Sequence, residues 1–74
     1  MELERLKEII ADKLNVSPED VVPEASFVED LEADSLDLLD VVMAIEDETG
    51  TTVPDEQLAS LKTVGDAIEL LKNL

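Results

Sequence analysis

The hydroxyl of Ser35 is the group in this chain that is best placed for chemistry, because two carboxylates, Asp34 and Asp37, flank it. A hydrolytic serine needs a general base within hydrogen-bond reach. The chain has no histidine and no cysteine, and none of its lysines is near Ser35 in sequence. Paired acids could serve in acid–base catalysis, but so small a core implies no enclosed pocket for a polar substrate. We therefore predict no catalytic residue and a protein that is not an enzyme.

Metal chemistry is equally poorly supported by the residue pattern. The acids do not follow the calcium-loop spacing, which needs alternating ligands, a glycine at the sixth position and a glutamate at the twelfth. Without cysteine there are neither thiolate ligands nor disulfides. The sequence also lacks a glycine-rich phosphate loop. We expect no specific metal site.

Ser35 then has two interpretations. A serine that follows a loop is most often the N-cap of a helix, where its oxygen accepts a hydrogen bond from a first-turn N–H group. Alternatively, Ser35 is a modification site, because the positive end of a helix favours an added phosphate-type charge. The local residues alone leave both interpretations open.

The charge of the chain restricts its partners. Twenty acidic and five basic residues give a net charge of -15. Such a charge repels nucleic acid and anionic membranes, and it favours basic protein surfaces. The same composition also occurs where acidic faces only keep a small protein soluble. We expect no nucleic-acid partner, and strain on the folded state from self-repulsion.

The length and hydropathy indicate a single domain over residues 1–74. No apolar run approaches the roughly 20 residues that span a bilayer, so we expect no membrane insertion. The charged start, Met-Glu-Leu-Glu-Arg, shows no signal-peptide pattern. We expect a cytoplasmic protein.

The first elements that must position Ser35 are a helix and a long connection. Apolar residues at spacings of three and four predict a helix over residues 2–14, with Leu3 at the start of its core stripe. Residues 15–34 form the connection, in which Ser-Pro-Glu-Asp at 17–20 predicts one helical turn. We expect Phe27 to anchor this loop to the core, together with Val28 and Leu31.

The second helix, predicted over residues 35–48, carries two apolar stripes. At 100° per residue, one arc forms a core-facing stripe, and a second arc lies more than 100° away. The first arc comprises Leu38, Val41, Val42 and Ile45, and the second comprises Leu36, Leu39 and Met43. Both stripes could be core, since a central helix can be buried on most sides. Alternatively, the second stripe, which is ringed by acids, is a docking surface for a basic and partly apolar partner.

The C-terminal third predicts two further helices. Gly50 suits a left-handed helix end, and residues 54–58 begin a short helix. A Thr-x-x-Asp capping box at Thr63 and Asp66 opens the last helix, over residues 64–73. We expect this helix to bury four residues, Val64, Ala67, Ile68 and Leu71. No segment alternates like a strand. The predicted fold class is all-α: a small four-helix bundle of three main helices and one short helix, with a long loop between the first two.

Residues 27–37, Phe-Val-Glu-Asp-Leu-Glu-Ala-Asp-Ser-Leu-Asp, resemble the attachment-site signature of the acyl carrier proteins, whose core is Asp-Ser-Leu. The similarity continues through residues 42–48, 53–56 and 63–67, so it covers essentially the whole chain without gaps. The resemblance implies a four-helix bundle with a covalent 4′-phosphopantetheine arm on Ser35. A separate synthase transfers this arm from coenzyme A.

The function that the resemblance implies is that of a carrier in fatty-acid synthesis. Growing acyl chains would be held as thioesters on the thiol of the arm, tucked between the helices, and delivered to successive enzymes. A first alternative is a specialised carrier for polyketide, aminoacyl or other acyl groups. A second is an unmodified acidic helical module that only binds a basic partner.

The implied partners are the holo-carrier synthase, which is a phosphopantetheinyl transferase, and the enzymes of fatty-acid synthesis. In the family, acids at Asp34 and along the second helix meet basic patches on these enzymes, and Leu36 and Met43 match apolar contact positions. With the second stripe, the predicted docking residues are Asp34, Leu36, Asp37, Leu39, Asp40, Met43, Glu46 and Asp47. We expect a monomer.

Several positions depart from the family pattern: Thr51-Thr52 replaces a more acidic stretch, and two further departures affect the backbone and the core. Glu32 stands where glycine is usual, which restricts the backbone. Thr49 stands where a core phenylalanine is common, and Leu38 and Leu58 are candidates to fill the space that is left. These departures motivate the specialised-carrier alternative.

Overall fold

A computed structural model describes residues 2–73 of the chain. Four α-helices follow one another in the order α1 (Leu3–Leu14), α2 (Ser35–Thr49), α3 (Asp55–Ala59) and α4 (Val64–Lys72). A single 3₁₀ turn, Pro18–Asp20, lies in the connection between α1 and α2. The described residues contain no named strand, and this confirms the all-α prediction of three main helices and one short helix.

Helix α1 buries one face and ends where the sequence predicts. Its core residues are Leu6, Ile9, Ile10 and Ala11. Asn15 ends the helix in the left-handed conformation, with φ of 56°, and its N–H group donates to the Ala11 carbonyl. The prediction that Leu3 belongs to the core is wrong, since 49% of this residue is exposed. Leu3 opens the first turn and lines a small surface cavity instead.

The connection between α1 and α2 is held to the core by its apolar residues. Phe27 is fully buried and Leu31 is 4% exposed, as predicted, and Val21 is buried beside the 3₁₀ turn. The prediction for Val28 is wrong, because 62% of it is exposed. The chain turns tightly at this point, with the N–H groups of Asp30 and Leu31 both donating to the Ser26 carbonyl. Neighbouring side chains therefore project in different directions.

Backbone hydrogen bonds tie the same connection to the segment between α3 and α4. Phe27 N donates to the Lys62 carbonyl at 3.0 Å, and Val64 N donates to the Ala25 carbonyl at 3.0 Å. Ser26 and Thr63 form an isolated antiparallel bridge between these bonds. These bonds pair backbone groups of the loop where Ala25 and Phe27 are buried, as buried polar groups require.

Helices α2 and α4 each begin with a capping box. In α4, Thr63 and Asp66 exchange side-chain and backbone hydrogen bonds, as the sequence predicts. This helix buries Val64 and Ala67, but it also buries Leu70, which the sequence analysis did not select. The two other residues predicted there, Ile68 and Leu71, are partly buried against the core.

The departure at Thr49 is accommodated at the end of α2. Its hydroxyl donates to the Ile45 carbonyl at 2.8 Å, so the buried part of the side chain has a partner. Leu38 and Leu58 are both partly buried and pack against the core. Gly50 then ends the helix in the left-handed conformation, with φ of 71°.

Candidate functional site

The N-terminus of α2 is capped by Asp34 and not by Ser35. Asp37 N donates to Asp34 Oδ1 at 3.0 Å, and Asp34 N donates to Asp37 Oδ2 at 3.2 Å. These two bonds form a reciprocal capping box. Ser35 is therefore the first helical residue, and the interpretation of Ser35 as the N-cap is wrong. Two adjacent residues both have capping side chains, and the structure assigns the role to the earlier one.

The Ser35 side chain is left free by this arrangement. Ser35 is exposed, and no hydrogen bond joins its hydroxyl to another group in residues 2–73. The N–H groups of Ser35 and Leu36 belong to the first turn, whose amides have no carbonyl partner inside the helix. A phosphodiester on Ser35 would lie beside these donors and at the positive end of the helix. The site therefore fits a covalent phosphate-linked group.

The second apolar stripe of α2 faces outward. Leu36 is 71% exposed, Met43 is 54% exposed and Leu39 is 41% exposed. Residues of the first stripe, Val41 and Ile45, are essentially buried. The interpretation in which both stripes are core is therefore wrong. The sequence pattern showed two stripes, but only the packing of the other helices decides which one is covered.

The five acids predicted beside this stripe differ in their surroundings. Asp40 and Asp47 are exposed and form no ion pair with the other residues that the structure describes. Asp34 and Asp37 are held in the capping box. Glu46 is half-buried, and its Oε2 accepts a hydrogen bond from Val53 N at 2.7 Å. Glu46 therefore also fastens the segment after α2.

The loop before Ser35 contains Glu32, which stands where the family usually has glycine. Its backbone conformation is one that favours glycine. Its φ is 55°, and it lies two residues before the Asp34 cap.

Among the loop residues, sequence reasoning missed Ser26 and Asp30. Ser26 N donates to Asp30 Oδ2 at 2.6 Å, and Glu29 N donates to Ser26 Oγ at 3.2 Å. The signal was available, because serine and aspartate are the residues that make such local bonds to the backbone.

Comparison with known proteins identifies the family. Residues 4–71 match the family described as "Phosphopantetheine attachment site". The chain is 55% identical to an acyl carrier protein of Thermosynechococcus vestitus, over 96% of this chain and 88% of that protein. It is 46% identical to an acyl carrier protein of a Sulfurovum species, over 93% of this chain and 92% of that protein.

This chain belongs to the acyl carrier protein family. A solved structure from Mycobacterium tuberculosis, described as an acyl carrier protein, superposes on it with a TM-score of 0.87. That pair shares 26% identity over 95% of this chain and 93% of the other. The protein is a carrier and not an enzyme. Its cofactor is covalent 4′-phosphopantetheine. A role in fatty-acid synthesis fits the family, and the relatives do not favour the specialised alternative.

Acyl carrier proteins carry acyl chains and interact with a phosphopantetheinyl transferase and with synthesis enzymes. In this protein the core between the helices, where the acyl chain was expected to lie, is closed, since Leu6, Phe27 and Ile45 have no exposed surface. A groove of about 620 Å³ does lie between α1 and α2, but mostly charged residues line it. An acyl chain can therefore enter the core only if the helices move apart.

The charged groups in that groove tie α1 to α2. Arg5 Nε donates to Glu48 Oε1 at 2.9 Å, and this bond raises the pKa of Arg5.

At the start of α4, the pKa of Asp66 is lowered, because its carboxylate accepts from the backbone N–H groups of Lys62 and Thr63. Residues 2–73 contain no cluster of three or more potential metal ligands. Nor does any helix in this part of the chain have the length and apolar character to cross a membrane.

Proposed function

We propose that Ser35 is the attachment point of 4′-phosphopantetheine. The observation that supports it is the free, exposed hydroxyl at the first position of α2, at the centre of the matched family region. A separate transferase would supply the arm from coenzyme A. When bound, the arm supplies a thiol on which acyl groups are held as thioesters. A chain without cysteine then needs no thiol of its own.

Intact mass spectrometry tests this proposal. The protein is incubated with coenzyme A and a broad-specificity phosphopantetheinyl transferase, and the mass should rise by one arm. Ser35→Ala should show no gain. Ser17→Ala is the matched control, because Ser17 is also exposed and caps a helical turn without a side-chain hydrogen bond. A gain that survives Ser35→Ala, or no gain in the parent protein, would refute the assignment.

The docking surface that we propose for partner enzymes surrounds this hydroxyl. It combines the exposed side chains of Leu36, Leu39 and Met43 with the neighbouring acids. The proposed set is Asp34, Leu36, Asp37, Leu39, Asp40, Met43, Glu46 and Asp47. Apolar contact supplies affinity, while the acids would attract basic patches on the transferase and the synthesis enzymes.

Salt dependence tests the electrostatic part of this surface. Asp40→Asn should raise the KM of the transferase for the carrier at low salt, and the difference should shrink as salt screens the charges. Asp12→Asn is the matched control, since Asp12 is an exposed acid on α1. Equal effects of the two variants would mean that only net charge matters, and the basic-patch proposal would fail.

We propose fatty-acid synthesis as the pathway, supported by the names of the relatives. The loaded protein should be accepted by elongation enzymes of fatty-acid synthesis. Rejection by these enzymes, together with acceptance by a polyketide or aminoacyl system, would favour the specialised carrier instead.

We further propose that residues 1–74 act as one carrier domain, as a monomer, in the cytoplasm. The large net negative charge opposes self-association, and a chain without cysteine needs no oxidising compartment. Sedimentation equilibrium at physiological salt would reveal a dimer, and fractionation of cells would reveal another location.

A further inference from the structure

The loop that leads into Ser35 is closed by its own hydrogen bonds. Ser26 N donates to Asp30 Oδ2 at 2.6 Å, a short charge-assisted bond. Ser26 Oγ accepts from Glu29 N at 3.2 Å, and the Ser26 carbonyl accepts from Asp30 N and Leu31 N. We call this set of bonds the Ser26–Asp30 lock. Every backbone and side-chain polar group of Ser26 takes part in the lock.

Two anchors, Phe27 and Ala33, fix to the fold the loop that contains the lock. On one side, Phe27 is fully buried and its N–H group donates to the Lys62 carbonyl at 3.0 Å. On the other side, Ala33 is 4% exposed and its N–H group donates to the Phe27 carbonyl at 2.7 Å. Ala33 is followed directly by the Asp34 cap and Ser35. A continuous set of short contacts therefore runs from the α3–α4 segment to the attachment residue.

Between the anchors, Leu31 is buried and its N–H group donates to the Ser26 carbonyl, but the other residues of the turn are exposed. Val28 is 62% exposed, and Glu29 and Glu32 are exposed as well. Glu32 has a φ of 55°, a conformation that an ordinary residue keeps only when its surroundings impose it. The Asp30 carboxylate is the only acidic side chain in residues 27–33 that is hydrogen-bonded within the described part of the chain. It therefore closes the exposed turn onto Ser26, in addition to the backbone bonds that the Ser26 carbonyl accepts.

We propose that Asp30 is a positioning residue for the transfer of phosphopantetheine, acting through the Ser26–Asp30 lock and not as a docking charge. This inference rests on the proposed role of Ser35. In the transfer, Ser35 Oγ bonds to the phosphorus that bears pantetheine in coenzyme A. The phosphoanhydride bond to adenosine 3′,5′-bisphosphate breaks, and the hydroxyl proton passes to a base of the transferase. Such a displacement requires the oxygen to be held in line with the leaving group.

The lock and the docking surface make separable contributions to the kinetics. Leu36, Leu39 and Met43 lie on α2, whose cap and core contacts do not involve Asp30. Removal of the lock should therefore leave the KM of the transferase for the carrier unchanged. It should lower kcat, because Ser35 would be presented in a wider range of positions. Loss of folded protein would instead raise the apparent KM.

Steady-state kinetics of the transferase with four carrier variants test the proposal. Asp30→Ala should lower kcat by about 10-fold at unchanged KM. Asp30→Asn retains an oxygen that accepts from Ser26 N, so its kcat should stay within about twofold of the parent value. Glu29→Ala is the matched control, since it removes an equal charge from the same turn but no side-chain hydrogen bond. Ser35→Ala should be inactive.

The outcomes separate this inference from the assignment of Ser35. If Asp30→Ala and Glu29→Ala have the same kcat, the lock does not position Ser35. If Asp30→Asn falls as far as Asp30→Ala, Asp30 acts through its charge, and the proposal is again overturned. Labelling of Ser35→Ala would instead overturn the proposed attachment point. Should circular dichroism show that Asp30→Ala is unfolded, Asp30→Ser replaces it, because that variant keeps a polar side chain but removes the carboxylate that accepts from Ser26 N. Its kcat should fall below that of Glu29→Ala, and equality of the two would overturn the proposal.

Discussion

At the scale of single residues, Glu32 lies where the backbone favours glycine. Its φ of 55° places it in the left-handed region, which costs a residue with a side chain about 1–2 kcal/mol. Replacing Glu32 by glycine would remove this cost. Part of the gain in stability would be offset, because glycine has greater conformational freedom in the unfolded chain. We predict that Glu32→Gly raises the free energy of unfolding by about 0.5–1 kcal/mol, as measured by urea denaturation.

The control for this substitution separates backbone strain from charge. Glu32→Gln removes one negative charge from the acidic molecule but keeps the side-chain carbon that makes the left-handed conformation costly. If Glu32→Gln stabilises the protein as much as Glu32→Gly does, charge repulsion explains the gain and the backbone argument fails.

Asp66 shows how one carboxylate can fasten two segments. It accepts hydrogen bonds from Lys62 N at 2.9 Å and from Thr63 N at 3.0 Å, and these bonds lower its pKa. We predict that Asp66→Ala costs about 1 kcal/mol of stability at neutral pH, a typical value for the loss of a helix cap. Glu69→Ala is the control, because Glu69 is an exposed acid on the same helix.

The pH dependence of that difference follows from the direction of the shift. The folded-state pKa of Asp66 lies below its ordinary value of 3.8. Its contribution is therefore complete above pH 3.8 and is lost as the pH falls through the folded-state pKa. The gap between the parent protein and Asp66→Ala should narrow in this acidic range. A gap that does not narrow as the pH falls below 3.8 would contradict the role of the ionised carboxylate.

At the scale of elements, α2 has one face in the core and another in solvent. Ile45 is fully buried, whereas Met43, only two residues earlier, is 54% exposed. We predict that Ile45→Ala lowers the free energy of unfolding by about 2–4 kcal/mol, and that Met43→Ala changes it by less than about 0.5 kcal/mol. Met43→Ala should instead raise the KM of partner enzymes, because it removes an apolar contact from the proposed docking surface.

Urea denaturation and transferase kinetics on the same two variants check this division. A loss of stability in Ile45→Ala and a rise in KM for Met43→Ala would show that the two faces have separate tasks. If Met43→Ala were destabilised as strongly as Ile45→Ala, the exposed stripe would contribute to the core and the docking argument would fail.

At the scale of the whole molecule, repulsion between negative charges lowers the stability of the fold. A net charge of -15 is confined to a body of 26 × 23 × 18 Å. At 0.01 M salt the screening length is about 30 Å, so most acids in the molecule repel one another. We predict that Tm rises by about 5–10 °C between 0.01 M and 0.15 M salt, which corresponds to relief of about 1–2 kcal/mol.

Magnesium chloride and sodium chloride at equal ionic strength separate screening from binding of ions. Screening alone should give equal melting temperatures, and condensation of divalent ions on the acidic faces should give a higher value with magnesium. A Tm that responds to neither salt would show that self-repulsion does not limit stability.

Local patterns made most of the fold predictable from the sequence. The capping box at Thr63, the end of α1 at Leu14, the left-handed end at Gly50 and the core stripe of α2 each depend on residues within a few positions of one another. The short helical turn after Pro18 depends on the same kind of local signal. Such features need no knowledge of the rest of the chain.

Where distant segments meet could not be predicted in the same way. The sequence placed both Phe27 and Val28 in the core, but only Phe27 is held there, by its bond to Lys62. It also placed Leu3 inside and missed Leu70, because burial at a helix end depends on how far the neighbouring helices extend. The identity of the α2 cap likewise depends on how the chain enters the helix from Ala33.

The sequence by itself determined that a serine beside acids, without any base of its own to activate it, would serve as an attachment point or a cap and not as a hydrolytic catalyst. Its full-length resemblance identified the family that the comparisons then confirmed. Only the tertiary structure decided that Asp34 takes the cap, that Leu36 and Met43 face solvent, and that Asp30 holds the loop. The physical reason is that residue type and periodicity set which groups can pack or bond, whereas three-dimensional packing sets which of them find a partner.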